Sequence, residues 1–330
     1  MFTTKHIFFF VCMFLLGLIV MYFLVNQTMY ISSPLKKHWK FQSIDTMKIS
    51  RDRAREMRDN PLYDKEIETQ IRDIAGTGAT HVGIGTPYDE EFIPILRKWV
   101  QVTRKNNMKV WFRGNFSGWE QWFGYEQISQ EEHLDKTRQF ILNHTDLFED
   151  GDIFSSCPEC ENGPKLQTGN LYEVQKYREF LIAEYKTTKD AFNSINKNIQ
   201  SNYFSMNLDV AKAVMDPPTT AQLDGLVVID HYVTKPEALA SDVQLIAQKS
   251  GGKVVLGEMG APIPDLNGKM NDDEQKKWIQ DAFIFLANVE ELEGVNYWVN
   301  KDGTTAIWRE DNSPRPAVEV ITKYFGGKTQ

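Results

Sequence analysis

Residues 224–260 read DGLVVIDHYVTKPEALASDVQLIAQKSGGKVVLGEMG and carry the clearest fold signal in the chain. Two apolar runs of strand length, DGLVVIDHY and KVVLGEMG, flank a segment through 238–248 that we predict to be helical. A strand, a helix and a second strand in this order form the crossover unit of a parallel sheet. We therefore expect two neighbouring parallel strands joined by a helix.

The same alternation extends through the chain from about residue 40. Six further strand candidates are 40–50, 80–88, 109–115, 152–157, 199–207 and 294–300, and helical patterns follow nearly all of them. Eight such repeats in roughly 295 residues favour an α/β fold of the closed (β/α)8 TIM-barrel type over an open doubly wound sheet. No GxGxxG follows the first strand, which argues against a dinucleotide-binding fold.

Composition excludes several classes of protein. The 330 residues are 42% hydrophobic and 25% charged, which is ordinary for a globular protein and unlike disordered, collagenous or disulfide-scaffold chains. Lys and Arg number 37 against 45 Asp and Glu, giving a net charge of -8. Such an acidic chain lacks the basic footprint of a nucleic-acid-binding protein.

An apolar segment precedes the predicted barrel. Residues 7–25 contain no charge and would span about 28 Å as a helix. This run exceeds the roughly 7–15 residues of a cleaved signal peptide, and no Ala-x-Ala follows it. We interpret 1–35 as a signal anchor that contacts the lipid bilayer through 7–25, and 36–330 as the barrel domain. The alternative is a signal peptide cleaved near Ser32 and Ser33, which would give a secreted protein.

Polar residues cluster where the predicted strands end, and catalytic groups of such barrels lie at those ends. They are Arg113 and Asn115 after strand three, Glu159, Glu161 and Asn162 after strand four, His231 and Tyr232 after strand six, Glu258 in strand seven and Trp298 after strand eight. Carboxylates from strands four and seven therefore meet at one barrel mouth. Glycoside hydrolysis requires such a pair, one to protonate the leaving oxygen and one to attack or activate water.

The run VVLGEMGAP over 254–262 resembles the nucleophile strand of the clan A retaining glycoside hydrolases, the cellulase- and mannanase-like barrels. The resemblance covers residues from about 40 to 325. It implies that Glu258 is the nucleophile, that Tyr232 orients it, and that Trp298 lies beneath the bound sugar. It also implies an oligo- or polysaccharide substrate and no cofactor.

The same resemblance implies an acid/base Glu after strand four. Strand length places Glu159 there, and Glu161 is the alternative. The family usually has Asn directly before this Glu, whereas this chain has Pro158. The bond from that Asn to the sugar 2-hydroxyl would then come from elsewhere, and Asn115 and Asn162 are the candidates.

Other residues near the mouth have two interpretations each. Trp119 and Trp122 follow strand three in a glycine-flanked loop and either stack on sugar rings, which we favour, or pack as a lid. Arg113 either keeps the nucleophile ionised or is a structural ion-pair partner. His231 binds substrate or is a hydrogen-bonded rim residue. Cys157 and Cys160 are free thiols, or a local disulfide if the domain is extracytoplasmic.

The favoured function is a retaining glycoside hydrolase, single-pass in the cell membrane, with its catalytic domain outside the cytoplasm. Two alternatives remain open. One is a metal-dependent barrel resembling sugar isomerases, in which strand-end side chains bind Mg²⁺ or Mn²⁺. The other is a barrel that binds glycans through its aromatic side chains without turnover.

Overall fold

The computed structural model describes residues 39–163 and 167–326, which all belong to one compact unit. Within these residues eight parallel strands form one sheet in the order β4-β3-β2-β1-β8-β7-β6-β5. The strands are β1 (Phe41–Asp45), β2 (His81–Ile84), β3 (Lys109–Phe112), β4 (Ile153–Phe154), β5 (Ser205–Asn207), β6 (Leu226–Asp230), β7 (Lys253–Met259) and β8 (Leu292–Tyr297). The predicted eight-stranded parallel sheet is therefore confirmed.

Helices connect these strands and cover the outside of the sheet. The α-helices are α1 (Met47–Ser50), α2 (Ala54–Arg58), α3 (Leu62–Gly76), α4 (Ile93–Lys105), α5 (Gln130–Asn143), α6 (Leu171–Ser194), α7 (Leu208–Val214), α8 (Pro217–Gln222), α9 (Pro236–Ser250), α10 (Pro264–Asn267), α11 (Asp272–Leu286) and α12 (Ala317–Phe325). Short 3-10 helices lie at Glu90–Phe92, Ser117–Trp119, Trp122–Gly124, Thr145–Leu147 and Cys160–Asn162. In α3, Ile67, Ile71 and Ile74 recur at helical spacing and are all fully buried.

Main-chain hydrogen bonds between β4 and the segment before β5 close the sheet into a barrel. Ile153 and Gln200 form a parallel bridge. The N–H of Phe154 donates to the carbonyl of Gln200 over 2.8 Å, and the N–H of Gln200 donates to the carbonyl of Asp152 over 3.1 Å. Strand β4 is short because its pairing with β3 covers only two residues.

The barrel interior below the mouth is filled by apolar and aromatic side chains. The cluster consists of Phe41, Trp111, Ile153, Tyr203, Leu226, Val228 and Val255. The rings of Phe41, Trp111 and Tyr203 meet edge to face, with centroids 5.4–5.5 Å apart. Gly294 makes this packing possible, because a Cβ there would lie 2.3 Å from the Phe41 ring. The barrel interior is thus a packed core.

The first strand ends earlier than the sequence indicates. Residues 40–50 were predicted as one strand, whereas β1 stops at Asp45 and α1 begins at Met47. The Asp45 carboxylate accepts a hydrogen bond from the Met47 N–H over 2.7 Å and turns the chain at this point. Asp45 is therefore the last residue of β1 and lies at the barrel mouth.

The predicted membrane segment lies outside the described residues. In the described part of the chain, no helix combines the length and apolar character needed to cross a bilayer.

Candidate active site

Arg113 occupies the centre of the barrel mouth, directly after β3. Its Nη1 donates to Asp45, and its Nη2 donates to Glu258 Oε1 over 3.0 Å and to Ser205 Oγ over 3.3 Å. Its guanidinium lies 5.0 Å above the Trp111 ring, which forms the floor of the site. Arg113 is fully buried, and the surrounding carboxylates raise the pKa of its guanidinium, so it remains charged.

Glu258 contacts two donors. Besides Arg113 at Oε1, the Tyr232 hydroxyl donates to Oε2 over 2.7 Å. The side chain is only 7% exposed. Arg113 therefore forms a buried ion pair with Asp45 and also contacts the Glu258 carboxylate, so the geometry agrees with both interpretations of this residue.

An irregularity in β7 turns Glu258 toward the mouth. The register between β6 and β7 shifts after Ile229, so that Asp230 pairs with Glu258 and not with Gly257. A β-bulge of this kind re-aims the side chain that follows it. Gly257 is required here because a Cβ would lie 2.4 Å from Asp230 Oδ1.

Burial determines the protonation of Glu258. Removal from water raises the pKa of its carboxyl to about 7, while the charge of Arg113 lowers it and the charge of Glu159 raises it. This pKa includes the effects of Arg113 and of the Tyr232 hydroxyl, so the carboxyl becomes ionised as the pH rises through neutrality. Glu159 lies near enough to act electrostatically on this group, although it comes from β4 across the mouth.

Glu159 lies in a loop closed by a disulfide. Cys157 and Cys160 are bonded, which is the second of the two alternatives given for them, and they bracket Pro158 and Glu159. The Glu159 N–H donates to the Ser205 carbonyl over 2.8 Å, which ties the loop to β5. Its backbone has φ 46° and ψ 48°, a left-handed conformation that costs a residue with a side chain roughly 1–2 kcal/mol.

Glu161 has more fixed partners than Glu159. Its Oε1 accepts from the main-chain N–H of Asn207 over 2.9 Å, and its Oε2 accepts from the Tyr177 hydroxyl over 3.3 Å. Burial raises the pKa of its carboxyl to about 7. Glu120, whose pKa burial also raises to about 7, adds a third carboxyl to this side of the mouth.

One of the predicted aromatic contacts, that of Trp119, differs from expectation. Trp119 is 1% exposed, its ring stacks on Phe180 at 5.3 Å, and its Nε1 donates to the Cys160 carbonyl. The prediction that Trp119 stacks on sugars is therefore wrong, because its ring packs as a lid. Trp122 is half-buried, and the Arg51 guanidinium covers one face at 4.7 Å. Trp298, directly after β8, is also half-buried.

The candidate amides and the histidine have different environments. Asn115 is fully buried, and its Oδ1 accepts from the His133 ring over 2.8 Å and from the Phe116 N–H over 2.7 Å. The predicted contact of Asn115 with a sugar is therefore wrong. Asn162 is exposed and donates to Glu159 Oε2 over 3.3 Å. The His231 ring contacts Asp242 on α9 at 2.8 Å, in keeping with a rim residue.

Several site residues escaped sequence reasoning. The sequence predicts Asp45 in the middle of a strand, whereas it ends β1. Ser205 and Asn207 lie in β5, a strand for which the sequence predicts no site residue. Asn207 Nδ2 lies 3.4 Å from carboxylate oxygens of both Glu159 and Glu161. Asn296 donates to Asp45 over 2.9 Å. The signal that would have found them is the position of a polar residue at the end of each strand.

Comparison with known proteins gives a fold but no sequence relative. No family model and no curated protein matches the chain. A GH5_18 protein from Bifidobacterium longum subsp. longum, solved with Manβ1-4GlcNAc, superposes with a TM-score of 0.63 at 12% identity, covering 88% of this chain and 78% of that one.

Two other solved structures give the same picture. A GH5_18 protein from Bifidobacterium longum subsp. infantis has a TM-score of 0.61 at 13% identity, with 87% of this chain and 78% of that one covered. A β-glycosidase has a TM-score of 0.54 at 11% identity, with coverage of 88% and 97%. The chain therefore has the (β/α)8 fold of these glycoside hydrolases, as the resemblance in its sequence implied.

Proposed function

We propose that this protein is a retaining glycoside hydrolase that uses Glu258 as nucleophile and Glu159 as acid/base. The carrying observation is the pair of donors on Glu258, Arg113 at 3.0 Å and Tyr232 at 2.7 Å, at the mouth of a glycosidase-type barrel. Such donors favour a carboxylate over a carboxylic acid. A buried carboxylate that is held ionised opposite a second carboxyl is what the double-displacement reaction requires.

In the first step a Glu258 oxygen forms a bond to the anomeric carbon while the bond to the leaving oxygen breaks. Glu159 gives its proton to that oxygen. In the second step Glu159 takes a proton from water, the water oxygen attacks the anomeric carbon, and Glu258 leaves. Arg113 and Tyr232 stabilise the Glu258 carboxylate before attack and again as it departs.

Proximity supports Glu159 over Glu161 as the acid/base. The charge of Glu159 acts on both Glu258 and Asp230. Glu161 does have the raised pKa expected of an acid, but Asn207 and Tyr177 already engage its two oxygens. We therefore assign Glu161 to support of the loop that carries Glu159.

The other candidate functions have less support. The described residues contain no group of three or more His, Cys, Asp or Glu side chains arranged to hold a metal ion. Instead, the Arg113 guanidinium lies among the carboxylates of the mouth. A binding protein without turnover has no need of the fixed Glu258 carboxylate, and turnover distinguishes it from the enzyme.

A test uses a panel of aryl glycosides, with NMR to identify the first product anomer. Turnover with retained configuration is expected, and Glu258→Gln should lose on the order of 10⁴-fold or more in kcat. A 2-deoxy-2-fluoroglycoside of the accepted sugar should label Glu258, as mass spectrometry of peptides would show. Inverted product, or activity of Glu258→Gln within tenfold of wild type, contradicts the mechanism.

The acid/base assignment has its own test. Glu159→Ala should still react with an activated aryl glycoside, because that leaving group departs with little acid help. The glycosyl-enzyme then accumulates, and azide should restore turnover because it attacks without losing a proton. Glu161→Ala is the matched control and should not respond to azide. Rescue at Glu161 and not at Glu159 would reverse the two roles.

We further propose that the domain works outside the cytoplasm, anchored by residues 7–25. The Cys157–Cys160 disulfide supports this location, since disulfides persist in oxidising compartments. We expect the full chain to remain in the membrane fraction after a salt wash and to be released by detergent. Deletion of residues 1–35 should remove the protein from the membrane fraction. Recovery of the full chain in the aqueous fraction would favour cleavage near Ser33.

A further inference from the structure

Arg113 is one cation surrounded by three buried carboxyl groups. Its nitrogens contact Asp45 and Glu258, and its Nη2 lies 3.6 Å from Asp230 Oδ2. If all three carboxyls were ionised, these four buried side chains would carry a net charge of −2. Burying charge without compensation is costly, and a buried group binds a proton instead. One carboxyl of the three is therefore expected to be protonated.

The number of hydrogen-bond donors on each carboxyl identifies the one that keeps the proton. Asp45 accepts from Arg113, from the Met47 N–H over 2.7 Å and from Asn296 Nδ2 over 2.9 Å. Glu258 accepts from Arg113 and from Tyr232. Donors of this kind favour the ionised form of both groups.

Asp230 has the weakest set of donors. Within the described residues, neither of its carboxyl oxygens has a partner at hydrogen-bond distance, and the Ser205 hydroxyl is the near polar group. Both oxygens are buried, and Oδ1 lies against the bare backbone of Gly257, where a Cβ would approach to 2.4 Å. Burial and the charge of Glu258 raise the pKa of Asp230 well above its usual range.

We propose, on the basis of the proposed function, that Asp230 is a positioning residue that carries the proton of this cluster and thereby leaves Arg113 Nη2 to the nucleophile. The same nitrogen contacts Glu258 Oε1 at 3.0 Å and Asp230 Oδ2 at 3.6 Å. An anionic Asp230 would draw this nitrogen away from Glu258. A neutral Asp230 does not compete, so the nucleophile keeps its ionic partner.

The protonation of Asp230 depends on the charged and titratable groups around it. These groups come from β1, β3, the loop after β4, the end of β6 and β7, and they are Asp45, Arg113, Glu159, Tyr232 and Glu258. Only Arg113 among them is a cation. The excess of negative charge favours a proton on the carboxyl with the fewest donors.

Infrared difference spectroscopy of the folded protein tests the proposal without requiring turnover. At pH 7 the wild type should show a protonated-carboxyl band that shifts when aspartate is ¹³C-labelled, and Asp230→Asn should lose this band. The label separates Asp230 from the protonated glutamates. Asp152→Asn is the control and should keep the band, because Asp152 is a buried aspartate that pairs with Arg104 outside this cluster. Absence of a labelled band in the wild type overturns the proposal, whether or not the protein hydrolyses glycosides.

The pH dependence of kcat/KM supplies the second measurement. Asn has the shape of Asp and is always neutral, so Asp230→Asn should leave the acid-limb pKa of kcat/KM nearly unmoved. A fall of that pKa by about one unit or more would mean that an anionic Asp230 had raised the pKa of Glu258, and it would overturn the proposal. If Asp230 only supported the fold, Asp230→Asn would lower activity at every pH. The assignment of the infrared band to Asp230 would not change, but its assignment as a positioning residue would be contradicted.

Discussion

Tyr232→Phe removes one hydrogen-bond donor from Glu258, the proposed nucleophile, and changes nothing else. That hydroxyl donates to Glu258 Oε2 over 2.7 Å, and a hydrogen bond to a charged group contributes about 1.5–3 kcal/mol. Since about 1.4 kcal/mol corresponds to one pKa unit, losing the donor should raise the pKa of Glu258 by about 1–2 units. Burial already places that pKa at about 7, so the nucleophile of the variant would be mostly protonated at neutral pH.

The assay is the pH profile of kcat/KM with an aryl glycoside whose leaving group needs little acid help. The acid limb of Tyr232→Phe should move to higher pH by about 1–2 units, with a loss of roughly 10–100-fold at pH 6 and a smaller loss at pH 9. Tyr203→Phe is the control, because its hydroxyl bonds Gln200 on the far side of the Trp111 ring. An acid limb within about 0.3 units of the wild type would refute this account of Glu258.

Two further predictions concern stability. Burial raises the pKa of Glu120 to about 7. The contribution of this group to stability is therefore fully present below its pKa in the unfolded chain and is lost as the pH rises through 7. Glu120→Gln, always neutral, should therefore raise the free energy of unfolding by about 1–2 kcal/mol at pH 8 and change it little at pH 4, as urea unfolding at the two pH values would show. Equal effects at both values would contradict the burial argument. Gly294→Ala places a methyl group against the Phe41 ring and should lower the free energy of unfolding by about 1–3 kcal/mol in the same urea assay. Wild-type stability would contradict this, because it would mean that β8 shifts to accommodate the methyl group.

Local patterns predicted the barrel because each strand carries its own signal. Apolar runs such as 226–229 and 254–256 are buried on both faces of a parallel sheet, and they remain recognisable without knowledge of their neighbours. The end of such a run also locates a residue at the mouth, which is how Glu258 and Tyr232 were found. The turn after β1 is harder to predict, because Met47 and Ile49 continue the apolar pattern of the strand beyond its end at Asp45.

Long-range packing accounts for the remaining errors. Trp119 was expected at the surface because its loop is rich in glycine, but Phe180, some sixty residues later in α6, covers its ring. Likewise, Asn115 Oδ1 accepts a hydrogen bond from the ring of His133, which lies in α5. The bulge at Gly257 is invisible in the alternation of β7, and strict alternation would turn Glu258 away from the mouth. Such features depend on residues that are distant in the sequence, so a short stretch of sequence does not predict them.

The ring formed by Cys157 and Cys160 has a practical consequence for work with this enzyme. It holds Glu159 in a backbone conformation that residues with side chains rarely adopt, and it carries the carbonyl that accepts from Trp119. Protein made in a reducing bacterial cytosol, or stored with dithiothreitol, would present Glu159 on an open loop of free thiols. Thiol titration of each preparation should therefore precede any substrate screen, because a failed screen on reduced protein reports on a different molecule.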